Sequence, residues 1–393
     1  MVYLDYAATS FPKPEGVVAA VMDYMTRVGA SPGRSGHQLA AEAARIVFGT
    51  REALAELLGV GDSRQVILTA HATEALNLAL TGLLRQGDHV VITSMEHNSI
   101  MRPLRHLRDT RGVEVTTVQA DSAGRVDPAA MGRAVTHRTR LVVVNYASNV
   151  VGTLQHMAEI REAAGPNVLL LADAAQVCGA VPVDMQAAGL DLLAFTGHKS
   201  LLGPPGTGGL CIRPGVEAEI EPLIRGGTGS RSESDEMPEV LPDRFESGTR
   251  NGPGIAGLGA AARFLLERGV SNIRHHEVEL TGRLLEGLRR IEGLSWYGPE
   301  DPRERLATVP LNIVGMSPTD VAALLDKRYG ILVRAGLHCA PQAHRTIGTF
   351  PGGALRLALG WCSTEEDVDA ALAALAEITR EAKQGSGQEA EIG

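Results

Sequence analysis

Between residues 64 and 215 the chain alternates short apolar runs with stretches of helical periodicity, and that alternation leaves few folds open. QVILT (65–69), HVVIT (89–93), VEVTTV (113–118), RLVVVNY (140–146), VLLLAD (168–173), LLAFT (192–196) and GGLCIR (208–213) read as strands. They are of the Val/Leu-rich kind expected where both faces of a sheet are covered. TEALNLALTGLL (73–84) and SIMRPLRHLRDT (99–110) read as helices between them. Strands separated by helices give an α/β class, with a mostly parallel central sheet and helices on both faces. In such sheets a ligand sits beyond the carboxyl ends of the strands. The polar residues of interest fall at those ends: Thr69 onward, Glu96, His97, Asn149, Asp173, His198 and Lys199.

The rest of the chain has a different texture. GGTGSRSESDEMPEVLPD (226–243) reads as a long loop, and long loops in compact domains tend to carry function. Helical patterns follow from about 254 to 291. Then come short strands at LSWYG, ATVPLNIVG, ILVR and ALRLALG, a helix at TDVAALLDKR, and an amphipathic helix over 364–382. Thr364 and Asp367 stand where a capping box would open that last helix, although Glu or Gln is the usual partner. A length of 393 residues is too great for one typical core. The expected division is a large domain over 14–253, a smaller α+β domain made of 1–13 and 254–382, and a disordered tail over 383–393.

A net charge of −9 argues against a nucleic-acid or membrane-surface binder, since both favour a basic patch. No apolar run reaches the ~18 residues needed to cross a bilayer, and MVYLDYAATS lacks the form of a secretory signal. A cytoplasmic location is the default expectation. The four cysteines (Cys178, Cys211, Cys339 and Cys362) form no C-x-x-C pair, so neither a metal site nor a disulfide framework is expected. Cys178 and Cys211 have apolar neighbours and read as inert, buried thiols.

TGHKSLLGPPGTGG (196–209) carries the first chemical signal. A lysine directly after a buried strand is unusual, and one held in a pocket can lose its proton and act as a Schiff-base nucleophile. A surface lysine in a turn is the plain alternative. Asp173 ends the preceding strand. Pyridoxal 5'-phosphate (PLP) needs a carboxylate at its pyridine nitrogen to make the ring an electron sink, while an Asp at a strand end often only caps a helix. Thr73 stands at a helix start, where free amides and the helix dipole bind phosphate, or where a threonine serves simply as the N-cap.

In order and spacing these segments resemble the cysteine desulfurases, class V aminotransferase-like enzymes of the fold-type I PLP group. The resemblance rests on LDYAATS (4–10), TAHATEALN (69–77), EHNS (96–99), NYASNVVGT (145–153), ADAAQ (172–176), TGHK (196–199), RFESGTRN (244–251), RAGLHCAP (334–341) and ALRLALG (354–360), nearly the whole chain. It implies that Lys199 forms the Schiff base with the cofactor, that Asp173 pairs with its pyridinium nitrogen, that Gln176 bonds its phenolate oxygen and that His97 stacks on its ring. Thr73, Thr196 and His198, with the Ala72 backbone, would hold the phosphate. Thr249 would reach the phosphate of a partner subunit, which implies a homodimer. Asn149 and Arg356, with Arg334 nearby, would bind the substrate, L-cysteine.

Cys339 then becomes the persulfide-forming nucleophile, passing sulfur to an acceptor protein, as in iron–sulfur cluster assembly. RAGLHC is similar to the SufS-like (group II) pattern R-x-G-H-H-C, with Leu337 in place of the first His and His338 as the nearby imidazole. Rival readings are a selenocysteine lyase, a class V aminotransferase or epimerase with a structural Cys339, and a non-catalytic sulfur-delivery scaffold.

Overall fold

The computed structural model describes residues 1–33 and 36–392, with side chains as far as 384. Its strands are β1 (Val2–Tyr3), β2 (Val66–Thr69), β3 (His89–Thr93), β4 (Glu114–Val118), β5 (Thr139–Asn145), β6 (Leu169–Asp173), β7 (Leu192–Thr196), β8 (Gly208–Ile212), β9 (Leu294–Trp296), β10 (Thr308–Ile313), β11 (Ile331–Leu332), β12 (Arg334–Gly336) and β13 (Ala354–Ala358). Seven form one sheet in the order β2-β8-β7-β6-β5-β3-β4. The pairings among β4, β3, β5, β6 and β7 are all parallel, whereas β8 runs antiparallel to both its neighbours.

Alternate residues of these strands feed two separate apolar layers. Val91, Val142, Val144, Leu170, Leu193 and Phe195 pack on one face, and Val90, Ile92, Leu141, Val143, Leu171 and Ala194 on the other. Burial on both faces is why the strands carry no polar alternation. The chain turns back between β3 and β5. The order then puts a crevice at the carboxyl ends of these two strands, the usual ligand position in an open α/β sheet.

A second sheet, β12-β13-β10-β9, is wholly antiparallel. Its core joins Leu284, Leu288, Val309, Leu311, Leu355, Leu357, Val368 and Leu375. The first residues belong with it, because β1 pairs with β11 and Asp5 bridges to Ala358. The helix Gly252–Arg268, however, places Leu258, Ala261, Ala262 and Leu265 in the large core. A Cβ on Gly257 would come within 2.7 Å of Val21 and Pro204, so this glycine lets the helix settle closely on that core. We therefore propose a division at Gly269 rather than after residue 253.

The last helix opens with the reciprocal pair foreseen for it: Thr364 N–H donates to Asp367 Oδ2 (3.0 Å) and Asp367 N–H to Thr364 Oγ1 (3.2 Å). It then runs Glu365–Ile392, past residue 382, where a disordered tail was expected. A helix already nucleated by packing adds one hydrogen bond per residue without a new nucleus, and here that outlasts the glycines at 385 and 387. Gly393, and the side chains from 385 onward, lie outside the described residues.

One buried ion pair fixes the segment that leads to Thr249. Glu246 Oε2 pairs with Arg51 Nη2 (2.5 Å) and with Arg250, its Oε1 accepts from Leu68 N–H (2.7 Å), and Arg51 also donates to the Val66 carbonyl. Glu246→Ala would strand Arg51 without its counter-charge. Removing one partner of a buried pair costs about 3–5 kcal/mol, and we expect urea denaturation to show a loss of that order. A loss below about 1 kcal/mol, the size typical of surface pairs, would contradict it.

Candidate active site

The large sheet's share of the site starts from strand ends. β7 ends at Thr196, and the turn Gly197-His198-Lys199 follows. The N-terminal segment clamps this turn: the His198 carbonyl accepts from Ser10 N–H (3.0 Å), Thr9 Oγ1 (3.1 Å), Ser10 Oγ (3.2 Å) and Lys13 Nζ (2.7 Å). Thr196 Oγ1 is buried without a partner. Opposite, the helix Ala72–Leu83 is capped by His71, whose Nδ1 accepts from Glu74 N–H (3.1 Å), so Thr73 is not the cap. The first amides of a helix have no intrahelical acceptor. A Cβ on Gly208 would lie 2.7 Å from His71 Cα, so this glycine is what lets the helix start approach the sheet.

One cavity is lined by Ala72, Thr73, His97, Asn149, Asp173, Gln176, Thr196, His198 and Lys199, with His71, Leu76, Ser99, Asn145 and Ala175 beside them. Asp173 and Lys199 come from adjacent parallel strands, as their positions implied. Burial pushes the Lys199 ammonium down to about 8 against the attraction of Asp173, and the Arg356 and Arg334 charges push the same way as burial. Burial also raises the Asp173 carboxyl, whose Oδ1 accepts from Ala175 N–H (3.1 Å). Gln176 Nε2 donates to the Ala7 carbonyl (3.0 Å).

His97 caps the helix Asn98–Arg111, its Nδ1 accepting from Ser99 N–H (3.0 Å). That bond places the proton of the neutral ring on Nε2. Burial, then the Lys199, Arg102 and Arg334 charges, lower this imidazole to about 4. Ser99 Oγ lies 2.9 Å from His97 Nδ1 and 2.8 Å from Thr73 Oγ1, joining ring and helix start. The motif EHNS contains Ser99, but only the fold shows that it touches Thr73. Glu96 is also wholly buried, and burial raises its carboxyl to about 8. Its Oε1 accepts from Thr93 Oγ1 (2.7 Å) and Asn145 N–H (3.0 Å), which ties β3 to β5 at the crevice.

The small sheet supplies the remaining wall. Arg356, on β13, is 2 % exposed; Nη2 pairs with Asp5 Oδ1 (2.9 Å), Nη1 donates to the Asn149 carbonyl (2.9 Å), and Nε has no partner. Arg334 is exposed on β12, opposite Arg356. The loop after β12 carries His338 and Cys339, both in the left-handed region at φ +48° and +60°. Such conformations cost non-glycine residues roughly 1–2 kcal/mol each and gather at functional sites. Two bonds hold the loop against the large sheet: Asn98 N–H donates to the Cys339 carbonyl (2.9 Å), and Asn149 Nδ2 to the His338 carbonyl (2.7 Å).

Cys339 is the exposed thiol among the four cysteines. Cys178 and Cys211 are buried, and burial pushes both thiols up. Cys362 is half-buried with Tyr6 Oη 3.0 Å from its sulfur. Thr249 stands apart from the cluster, exposed and lining a different cavity with Thr69, Glu74 and Asn251. A larger cavity, about 680 Å³, opens at the amino ends of the strands. In its wall Asp191 pairs with Arg161 (3.0 Å) and Arg213 (2.5 Å).

The family model described as Aminotransferase class-V matches residues 2–371. The chain belongs to the class-V aminotransferase family. It is 39% identical over 372 residues to a probable cysteine desulfurase of Methanothermobacter thermautotrophicus, covering 93% of this chain and 92% of that one. It is 34% identical to a probable cysteine desulfurase of Halalkalibacterium halodurans, covering 94% and 91%. Among solved structures, the apo cysteine desulfurase of Thermococcus onnurineus superposes with a TM-score of 0.91 at 31% identity, covering 97% of this chain and 95% of that one. A cysteine desulfurase of Escherichia coli superposes with a TM-score of 0.84 at 26% identity, covering 97% and 94%. The family's members are PLP enzymes.

An amine attacks an aldehyde only in its neutral form. With Lys199 lowered to about 8, the rate at which Lys199 captures an added aldehyde, trapped with borohydride and read by mass spectrometry of its peptide, should rise through pH ~8. A rise centred near the ordinary lysine value, about 10.4, would show that burial does not tune this group.

Proposed function

We propose that the chain is a PLP-dependent L-cysteine desulfurase that moves the sulfur of L-cysteine to Cys339 and releases L-alanine. The observation that carries this reading is the pair of hydrogen bonds fastening the Cys339 loop beside His97 and Asn149, at the rim of the cavity holding Lys199 and Asp173.

The residues fit the cofactor. The unpartnered Thr196 hydroxyl, the amides of Ala72 and Thr73 and the His198 turn would hold its phosphate. Asp173, a buried carboxyl without a cationic hydrogen-bond partner, would meet the pyridinium N–H. Gln176 would bond the phenolate oxygen, and His97 would cover the ring. When bound, PLP supplies the electron sink for charge at the substrate Cα.

The chain's own residues do the rest. Arg356 has a hydrogen-bonding N–H to spare and a single carboxylate partner, so it suits the substrate carboxylate, with Asn149 at its side. Lys199, poised near neutrality, takes the Cα proton. The Cys339 thiolate attacks the substrate sulfur; the S–S bond forms as the Cβ–S bond breaks, and the carbon left behind is reprotonated to give alanine. The reactive form is the thiolate. Cys339's exposure leaves the persulfide open to an acceptor protein.

We read the working state as a homodimer in which Thr249 completes the partner's phosphate site. Thr249 is exposed and away from its own chain's cavity. Met22 (55%), Met25 (64%) and Phe48 (58%) leave an apolar surface on the helical segments 15–28 and 38–58, of the kind that marks an association site. No helix among the described residues is long and apolar enough to cross a membrane. The four unpaired thiols suit a reducing compartment, and we place the protein in the cytoplasm.

Cys339→Ser tests the reading. The variant should keep its visible band and still change colour when L-cysteine binds, because Lys199 and Asp173 are untouched. Alanine release should fall by at least 100-fold. Alanine release at the wild-type rate would reduce Cys339 to a structural residue and favour a lyase or aminotransferase.

A further inference from the structure

Glu96 is a fully buried acid with no part in the reaction described above. It stands between β3 and the helix Asn98–Arg111, directly before His97. Its Oε1 accepts twice, from the Thr93 hydroxyl (2.7 Å) and from the Asn145 amide (3.0 Å). The Thr93 oxygen itself accepts from the Met95 amide (3.1 Å), which leaves its own hydrogen for Glu96. Asn145 Nδ2 donates in turn to the Met95 carbonyl (3.1 Å). These bonds fasten residues 93–96 to the end of β5. Asn145 is the register neighbour of Asp173 on β6, and it lines the same cavity as His97 and Asp173.

The other oxygen, Oε2, is buried without a hydrogen-bond partner. Among the described residues Glu96 forms no ion pair. The charge that bears on it is that of Asp173, which is negative. The nearby His97 and Lys199 are themselves pushed towards their neutral forms by burial. An ionised Glu96 would therefore be an uncompensated anion beside a second carboxyl, and a carboxyl so placed takes up a proton instead. A protonated Oε2 leaves a neutral hydroxyl unsatisfied, which costs less than a bare buried anion.

The balance of forces on the group agrees with this geometry. Burial outweighs the hydrogen bonds from the Thr93 hydroxyl and the Asn145 amide, Asp173 pushes the same way as burial, and a contribution from the Thr93 backbone is the smallest. The proton changes nothing in the clamp, because both donors meet Oε1 and a protonated carboxyl keeps its carbonyl oxygen as an acceptor.

We infer that Glu96 is a positioning residue that works as a neutral carboxylic acid: Oε1 fastens the His97 segment to the strand ends beside Asp173, and the proton on Oε2 keeps a second negative charge away from Asp173. A neighbouring anion would disfavour the ionised form of Asp173, the form that would meet the pyridinium N–H. The link to His97 and Asp173 rests on the reading that these two residues hold PLP.

Infrared difference spectroscopy of the holoenzyme, wild type minus Glu96→Gln, reads the proton without turnover. It should show the carbonyl band of a protonated carboxylic acid at neutral pH, fading above about pH 8. Absence of that band at neutral pH would overturn the inference whether or not the chain is a desulfurase. Two further variants test the clamp. Glu96→Gln keeps an uncharged acceptor, Glu96→Leu removes it, and Thr93→Val removes one of its two donors while keeping the shape. The affinity for PLP should stay within about twofold of wild type in Glu96→Gln, fall about threefold in Thr93→Val and about tenfold in Glu96→Leu, the worth of one and of two hydrogen bonds. Glu96→Gln as impaired as Glu96→Leu would show that a negative charge is needed, and would overturn the inference. Unchanged affinity in Thr93→Val and Glu96→Leu would do so as well. If PLP binds elsewhere, Asp173→Ala will leave its affinity unchanged too, and the failure then belongs to the reading of the cofactor site; the infrared band still decides the state of Glu96.

Discussion

Arg356 is 2 % exposed and carries a charge that water cannot reach. It is tied to three parts of the chain at once: it lies on the small sheet, it pairs with Asp5 of the N-terminal segment, and it bonds the backbone of Asn149 on the loop after β5. A buried charge is tolerated only where partners surround it. The same demand that satisfies this guanidinium therefore brings the small sheet, the first residues and the large sheet together over one crevice. The Asn149 side chain extends the tie to the His338 carbonyl and so to the reactive loop. One donor of Arg356, its Nε, is left without a partner.

The residues of the crevice are buried, and burial sets their protonation states. Burial is the largest influence on Lys199, His97, His198, His338 and Asp173 alike, driving each towards its neutral form. For the lysine this moves the ammonium closer to losing its proton near neutral pH. For His97 it leaves a neutral ring with its Nδ1 occupied by the Ser99 amide. The guanidinium groups of Arg102, Arg334 and Arg356 bear on this crevice. A net-negative chain thus gathers positive charge at this crevice.

The large sheet was legible because its strands are covered on both faces, which removes the polar alternation and leaves plain apolar runs. Such runs carry no sign of direction, so the antiparallel course of β8 was not visible in GGLCIR. The strand-end residues Asp173 and Lys199 could be placed because neighbouring strands in a parallel sheet end together. The cap at His71, the Thr73–Ser99–His97 contact and the bond from the Asn145 amide to Glu96 depend on residues brought together by the fold, and no local pattern marks them. Helix periodicity shows that a helix exists but not which core it joins. That is why the boundary we propose at Gly269 differs from the one expected at 253, and why the last helix outran its expected end.

The account turns on Cys339 being the atom that receives sulfur, and mass spectrometry of the intact enzyme after brief exposure to L-cysteine asks this directly. One added sulfur atom should appear on the peptide that contains Cys339, and it should disappear on treatment with a thiol reductant. Added sulfur on the Cys362 peptide, or alanine formed with no sulfur on any cysteine, would contradict the account.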